Sequence, residues 1–144
     1  MTYFNLAIVG TSHLSEVEEM DARKRIALGI KNVIKSIQDG GKGEILHIIT
    51  GDANGIDTIA KQVANGLDIP VKAYVSGTKS WDGPDGFKAR NEYIAKECSG
   101  LICISTKMKH TDCYHCDGGH ERTGGCWTMQ YAKSLGKPTK LVII

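Results

Sequence analysis

No charge of either sign is in excess: 18 lysines and arginines against 16 aspartates and glutamates leave a formal net charge of +2. A nucleic-acid footprint needs a clustered basic face. The near-neutral balance gives no sign of one, and nucleic acid is not expected as a partner. Nor does any apolar run approach the ~20 residues of a membrane helix, so no membrane association is expected. The opening Met1-Thr2-Tyr3-Phe4-Asn5 has neither the basic region nor the long apolar core of a signal peptide. A cytoplasmic location is therefore expected. Internal repeats, low-complexity tracts and linkers are also missing. At 144 residues the chain suits a single domain, 1-144, with one substantial core.

What is present is organised around one stretch, Ile45-Leu46-His47-Ile48-Ile49-Thr50 followed by Gly51-Asp52-Ala53-Asn54-Gly55-Ile56-Asp57. An apolar, β-branched run gives way to a glycine-punctuated turn and then to a helical pattern. Free backbone N–H groups gather at such a helix N-terminus, where the dipole favours an anion. Gly51 and Gly55 carry no Cβ, which would let a bound group approach the main chain.

The rest of the chain repeats this layout. Leu6 to Val9 reads as a first strand, leaving through Gly10-Thr11-Ser12. Ser15 and Glu18 form a capping box that opens a long helix. Its Ile26, Ile30, Val33, Ile34 and Ile37 recur at helical spacing, and Asp39-Gly40-Gly41 stops it. The second strand is Ile45 to Thr50, and its helix ends at Asn65-Gly66. Val71 to Val75 is a third strand, followed by a turn-rich loop from Ser76 to Gly86 that holds Trp81. A helix from about Phe87 to Cys98 precedes a fourth strand, Leu101 to Ser105. The segment from Thr106 to Thr123 has no periodicity. A last helix from about Gly125 to Leu135 leads through Gly136-Lys137-Pro138 into Leu141 to Ile144. Five strands alternating with four helices call for an α/β three-layer sandwich: a mainly parallel five-stranded sheet with helices on both faces. Ligands of such sheets bind beyond the carboxyl ends of the strands, where the glycine turns converge.

Several residues there bear on chemistry. Gly10, Thr11 and Ser12 offer amides and hydroxyls, or else form a plain strand-to-helix turn. Gly51, Asp52, Asn54 and Gly55 offer a phosphate cradle. Asp57 would repel a phosphate beside it; it suits a ribose hydroxyl or an amine, or simply the helix dipole. Asn91 interrupts the apolar stripe Phe87–Ile94–Cys98, and a buried amide must find partners. Arg90 stands near a helix start, where a cation gains nothing from the dipole. Either the pair faces a ligand, Arg90 forking onto a phosphate or carboxylate, or Arg90 is a surface residue and Asn91 bonds a neighbouring loop. Gly124 and Gly125 open the last helix with Trp127 and Thr128 behind them; Trp127 is placed either to stack on a base or to pack in the core.

Taken in order, Gly10-Thr11-Ser12, Gly51 to Asp57, Trp81 with Gly86 to Arg90-Asn91, and Gly124-Gly125 leading to Ala132 and Gly136-Lys137-Pro138 resemble the SLOG superfamily. That group includes the LOG phosphoribohydrolases, the molybdenum-cofactor carrier proteins and the Rossmann-like domain of DNA-processing protein A. The resemblance is closest to its small stand-alone branch and runs from Leu6 to Ile144. It implies a Rossmann-like sheet of strand order 3-2-1-4-5 that binds nucleotides or nucleotide-derived ligands, as a homodimer. One departure matters. LOG hydrolases carry a proline-glycine-glycine-x-glycine-threonine-x-x-glutamate motif, whereas this chain reads Thr123 to Tyr131 there, with Tyr131 at the glutamate position and Gln130 beside it. Neither can act as a carboxylate base. Nucleoside deoxyribosyltransferases fail on the same missing group, and the spacing does not recommend Glu121 as a substitute. Binding without turnover, as a sensor or carrier, is the favoured reading; hydrolysis or transfer at an N-glycosidic bond is the alternative.

Cys113-x2-Cys116-x3-His120-x5-Cys126 places three thiols and an imidazole within fourteen residues, with His110 and His115 as spare donors. Zinc takes four such ligands tetrahedrally, and would fold an insert, about residues 106-123, that has no core of its own. Structural zinc, free or redox-active thiols, and a catalytic metal all remain open at this stage. Cys98 and Cys103 fall inside regular elements, where small buried thiols are ordinary.

Overall fold

A computed structural model describes residues 2–144. Its elements run β1 (Tyr3–Gly10), α1 (Glu16–Gly40), β2 (Ile45–Thr50), α2 (Ile56–Gly66), β3 (Val71–Ala73), α3 (Phe87–Glu97), β4 (Gly100–Ser105), α4 (Gly124–Ser134) and β5 (Thr139–Ile143). The five strands form one sheet in the order β3-β2-β1-β4-β5, and every pairing is parallel.

Side chains alternate across each strand, and this divides the core in two. Leu6, Ile8, Leu46 and Ile48 point to the face covered by α1 and α2, where Ala22, Ile26 and Ile30 of α1 are buried against them. Ala7, Val9, Ile49, Leu101 and Cys103 point to the opposite face, under Ile94 of α3 and Met129 and Ala132 of α4. The winding therefore reverses between β1 and β4. That is the switch point at which open α/β sheets leave a crevice beyond their carboxyl ends. At α1 the capping box forms as the sequence implies: Glu18 N–H donates to Ser15 Oγ, and Ser15 N–H to Glu18 Oε1.

Three strands differ from the sequence reading by two or more residues at one end. The first strand extends outward on both sides because Tyr3 pairs with Ile45 and Gly10 with Ile104, positions with no buried apolar side chain to mark them. The third strand stops at Ala73: Tyr74 N–H still donates to Thr50 O, but β2 ends there and Val75 has no ladder to join. The fifth strand begins at Thr139 beside Leu101. The segment after β4 is not wholly irregular either; antiparallel bridges Lys107–His120 and Asp112–Glu121 fold it back on itself.

At the carboxyl edge, glycines let backbone meet backbone. A Cβ on Gly10 would lie 1.9 Å from Ile104 O, one on Gly125 would lie 2.6 Å from Gly10 N, and one on Gly55 (φ 74°) would lie 2.3 Å from Thr11 O. Gly40, by contrast, has open space around it. Gly10→Ala is expected to lose about 3 kcal/mol or more, because the clash is with main chain that cannot move aside. Gly40→Ala is expected to gain roughly 0.5 kcal/mol from reduced unfolded-state freedom. Paired urea melts check both, and similar losses in the two variants would refute the packing account.

Candidate functional site

The crevice at the switch point is a cleft of about 490 Å3. Its floor is Val9, Gly10 and the first turn of α4, and one wall comes from α3 through Phe87, Arg90, Asn91 and Ile94. Of the residues singled out in the sequence, Gly10, Ser12, Asp57, Trp81, Arg90, Asn91, Gly124, Gly125 and Thr128 line it. The others sit nearby with different tasks. Thr11 is buried, and its hydroxyl is within 3.4 Å of Ser105 Oγ. Gly51 lies beneath the carboxylate of Asp57 and the guanidinium of Arg90, so tightly that a Cβ would be 2.6 Å from Asp57 Oδ2. Asn54 and Gly55 open instead onto a neighbouring depression of about 390 Å3 beside Ser12 and Lys109. Trp127 is outside the cleft lining; Trp81 packs edge-on against it at 5.2 Å and Tyr131 stacks on it at 5.5 Å. Its role is to carry Trp81, which does line the cleft.

Arg90 and Asn91 satisfy each other. Nε and Nη2 of Arg90 donate to Asn91 Oδ1 at 3.2 and 3.1 Å, and Nη1 pairs with Asp52. The buried amide thus finds the partner that its burial demands. The guanidinium is forked onto protein groups, and its charge is offset by Asp52. Asp57 is buried, and Ala53 N–H donates to its Oδ2 at 3.2 Å. Burial raises its pKa to about 6, against the opposing pull of Arg90 and of the Ala53 amide. It is the one carboxyl group in the cleft lining.

Glu121 is turned elsewhere. Its carboxylate accepts the N–H groups of Lys109 at 2.8 Å, His110 at 2.7 Å and Thr111 at 3.0 Å, and those amides hold its pKa low. It clamps the loop and does not line the cleft. A smaller cavity of about 370 Å3 lies behind it, lined by Thr11, Thr106, Lys109 and Arg122 among others. Thr106 Oγ1 is the one buried side-chain polar atom without a hydrogen-bond partner among the described residues.

The second wall of the cleft comes from the segment after β4: Tyr114, His115, Arg122 and Thr123. Sequence reasoning did not place these four at the cleft, naming His115 only as a spare donor and Thr123 only at the start of the last helix, since an aperiodic stretch gives no facing rule. The available signal was their position among the cysteines and histidine. The donor atoms of Cys113, Cys116, His120 and Cys126 all lie within 4.8 Å of one another, a group that could hold a metal ion. His120 is fully buried; its Nε2 faces Cys116 Sγ at 3.1 Å, while Nδ1 lies 2.8 Å from both Ser105 Oγ and Glu121 O. A carbonyl at Nδ1 assigns the proton there and leaves the Nε2 lone pair toward the sulfurs, as in metal-ligating histidines. Burial pushes the Cys126 thiol far above its ordinary range, so without a cation that thiol stays protonated. The donor set, three sulfurs and one nitrogen, fits a dication at bonds of ~2.0–2.3 Å after small side-chain rotations.

No family model and no curated protein matches this sequence. Among solved structures, the chain is similar to the X-ray structure of DNA processing protein A from Streptococcus pneumoniae, with a TM-score of 0.63 and 21% identity. The match covers 96% of this chain and 50% of that one, so this chain spans about half the length of its neighbour. The Rossmann-like fold is shown. It is the fold that the SLOG resemblance implies, including the strand order 3-2-1-4-5. Among the described residues no helix is long and apolar enough to cross a membrane.

An ionised Asp57 is a cost to the folded state. Its folded pKa lies above the unfolded value of 3.8, so the stability it carries when protonated is complete below about pH 4 and lost as pH rises through about 6. Asp57→Asn has no such transition. Its unfolding free energy relative to wild type, from urea melts at each pH, is expected to climb between pH 4 and 7, by an amount on the order of 3 kcal/mol. A difference that does not change with pH would contradict the raised pKa.

Proposed function

We propose that the cleft binds a nucleotide or nucleotide-derived ligand without turning it over, in a sensor or carrier role. One observation carries this reading: a single cleft of about 490 Å3 at the switch point brings aromatic rings (Trp81, Phe87, Tyr114) together with two arginines and the amides of a helix start. Rings suit a base, and guanidinium groups and helix-start amides suit a phosphoryl group. The volume is that of an ordinary small-molecule site. The homodimer implied by the SLOG resemblance is part of the same proposal.

We read the Cys113–Cys116–His120–Cys126 cluster as a structural zinc site. Four protein donors complete a tetrahedral shell and leave no position for a reacting water. Three of the four donors are buried, and the Nδ1 bond of His120 supplies the outer support that such sites use. Bound zinc would hold the thiolates and tie the segment to α4 through Cys126.

A second reading rests on Asp57. A buried carboxyl group in the cleft with its pKa raised to about 6 is suited to donate a proton to a leaving base, as N-glycosidic cleavage requires. It would stand in for the glutamate missing from α4.

Native mass spectrometry of freshly purified protein tests these readings together, since it reports oligomer mass, metal and co-purified small molecule. We expect a nucleotide-sized adduct and one zinc per chain. A clean apo mass, with no AMP retained when AMP is added, would remove the ligand reading; absence of zinc would remove the metal. Incubation with nucleoside monophosphates is expected to leave them intact. Release of free base, lost in Asp57→Asn, would establish the second reading instead.

A further inference from the structure

The cleft's second wall and the Cys/His cluster are one segment of chain. Tyr114 and His115 fill the two positions between Cys113 and Cys116, and Arg122 stands two residues beyond His120. All three line the cleft. Between Lys107 and Gly119 most residues are exposed, and the one buried residue, Cys113, is itself a cluster member. Its other ties are polar: they include two isolated bridges, Lys107 N–H to Ile144 O at 3.1 Å, His120 Nδ1 with Ser105 Oγ at 2.8 Å, the Glu121 carboxylate and the Lys109–Glu18 ion pair at 2.7 Å. A segment so poor in buried side chains depends on its cluster for a fixed position.

The two arginines of the cleft are not equivalent. Arg90 is paired with Asp52, forked onto Asn91 and largely buried. Arg122 is exposed and makes no salt bridge among the described residues; its guanidinium lies over the Tyr114 ring at 5.3 Å. It also borders the smaller cavity where Thr106 Oγ1 has no partner. An anion entering the cleft must displace Asp52 to fork onto Arg90, whereas Arg122 is available to it. An exposed guanidinium on a long side chain is useful only if its backbone is held. His120 and Cys126 bracket that backbone, and Cys126 stands in the first turn of α4, beside Gly124 and Gly125.

We propose that Arg122 is the residue that contacts the anionic end of the cleft's ligand, and that a metal ion on Cys113, Cys116, His120 and Cys126 sets its position, so that metal and ligand bind cooperatively. The inference rests on the nucleotide and zinc readings given above. It adds that Arg90 is a positioning residue and Arg122 the contact. It also makes the coupling reciprocal: a ligand that binds the metal-loaded chain more tightly must raise metal affinity by the same factor.

The test is calorimetric titration of AMP into the full chain in four forms: zinc-loaded wild type, zinc-loaded Arg122→Ala, zinc-loaded Arg122→Lys and chelator-stripped wild type. Arg122→Ala is expected to weaken AMP on the order of tenfold or more while retaining one zinc per chain. Arg122→Lys should recover part of the loss. Stripping should cost at least as much as Arg122→Ala, and saturating AMP should tighten zinc by the factor that zinc tightens AMP. Hydrogen exchange supplies a readout independent of AMP: zinc is expected to protect residues 111–123 and the amides of the first turn of α4, leaving β1 and β2 unchanged. Equal AMP affinity in all four forms would overturn the inference while leaving the nucleotide reading intact. Failure of the loaded wild type to bind AMP would overturn the nucleotide reading and the recognition half of this one. Exchange that zinc does not alter would overturn the metal half.

Discussion

The structure depends on a contact that only glycine permits. Where β1 and β4 end, Gly10 lies against the carbonyl of Ile104, Gly125 against the backbone of Gly10, and Gly55 against the carbonyl of Thr11. Hydrogen bonds lock the approach: Thr11 N–H to Ile104 O at 3.1 Å and Ile56 N–H to Thr11 O at 3.0 Å. Two strands and two helix starts are thereby drawn together from both faces of the sheet. The floor of the cleft is this junction, and its depth follows from the absence of side chains in it. The glycines that suggest close approach of a ligand are also required for close approach of the protein to itself.

Above that floor, the α3 wall is held by a network of charges. Arg90 spans Asp52 and Asn91 and lies beside Asp57, whose carboxyl group is buried at the start of α2. Burial of a carboxyl group opposes ionisation and a nearby guanidinium favours it; here burial prevails, and the pKa rises. Each member limits the freedom of the next, which makes this wall rigid and leaves little of its charge unspent. The exposed guanidinium of the cleft, that of Arg122, stands on the other wall.

That other wall has a different origin. The α3 side is fixed by apolar burial of Ile94 and Ala95 against the sheet. The segment carrying Tyr114, His115 and Arg122 has almost no apolar burial and is gathered around sulfur and imidazole. One half of the cleft is therefore set by the folding of the domain, and the other by the chemistry of four donor side chains. The proposed coupling between a metal ion and a small molecule rests on this division.

Much of this was legible beforehand, because it is local. The apolar runs Leu6–Val9, Ile45–Thr50 and Leu101–Ser105 mark buried parallel strands, the Ser15–Glu18 box marks where α1 starts, and Cys-x2-Cys with His120 and Cys126 marks a donor cluster. Residues a few positions apart determined these features, through helical or strand periodicity, capping and chelate spacing. Tertiary structure alone decided the rest. Whether Arg90 meets a ligand or Asp52, whether Trp127 meets a base or Trp81 and Tyr131, and that Glu121 clamps a loop all turn on partners brought in from elsewhere in the fold. The junction of Gly10 with Ile104 spans more than ninety positions, and no periodicity reaches that far. A sequence pattern records which side of an element faces inward. Only the packed chain shows what it faces.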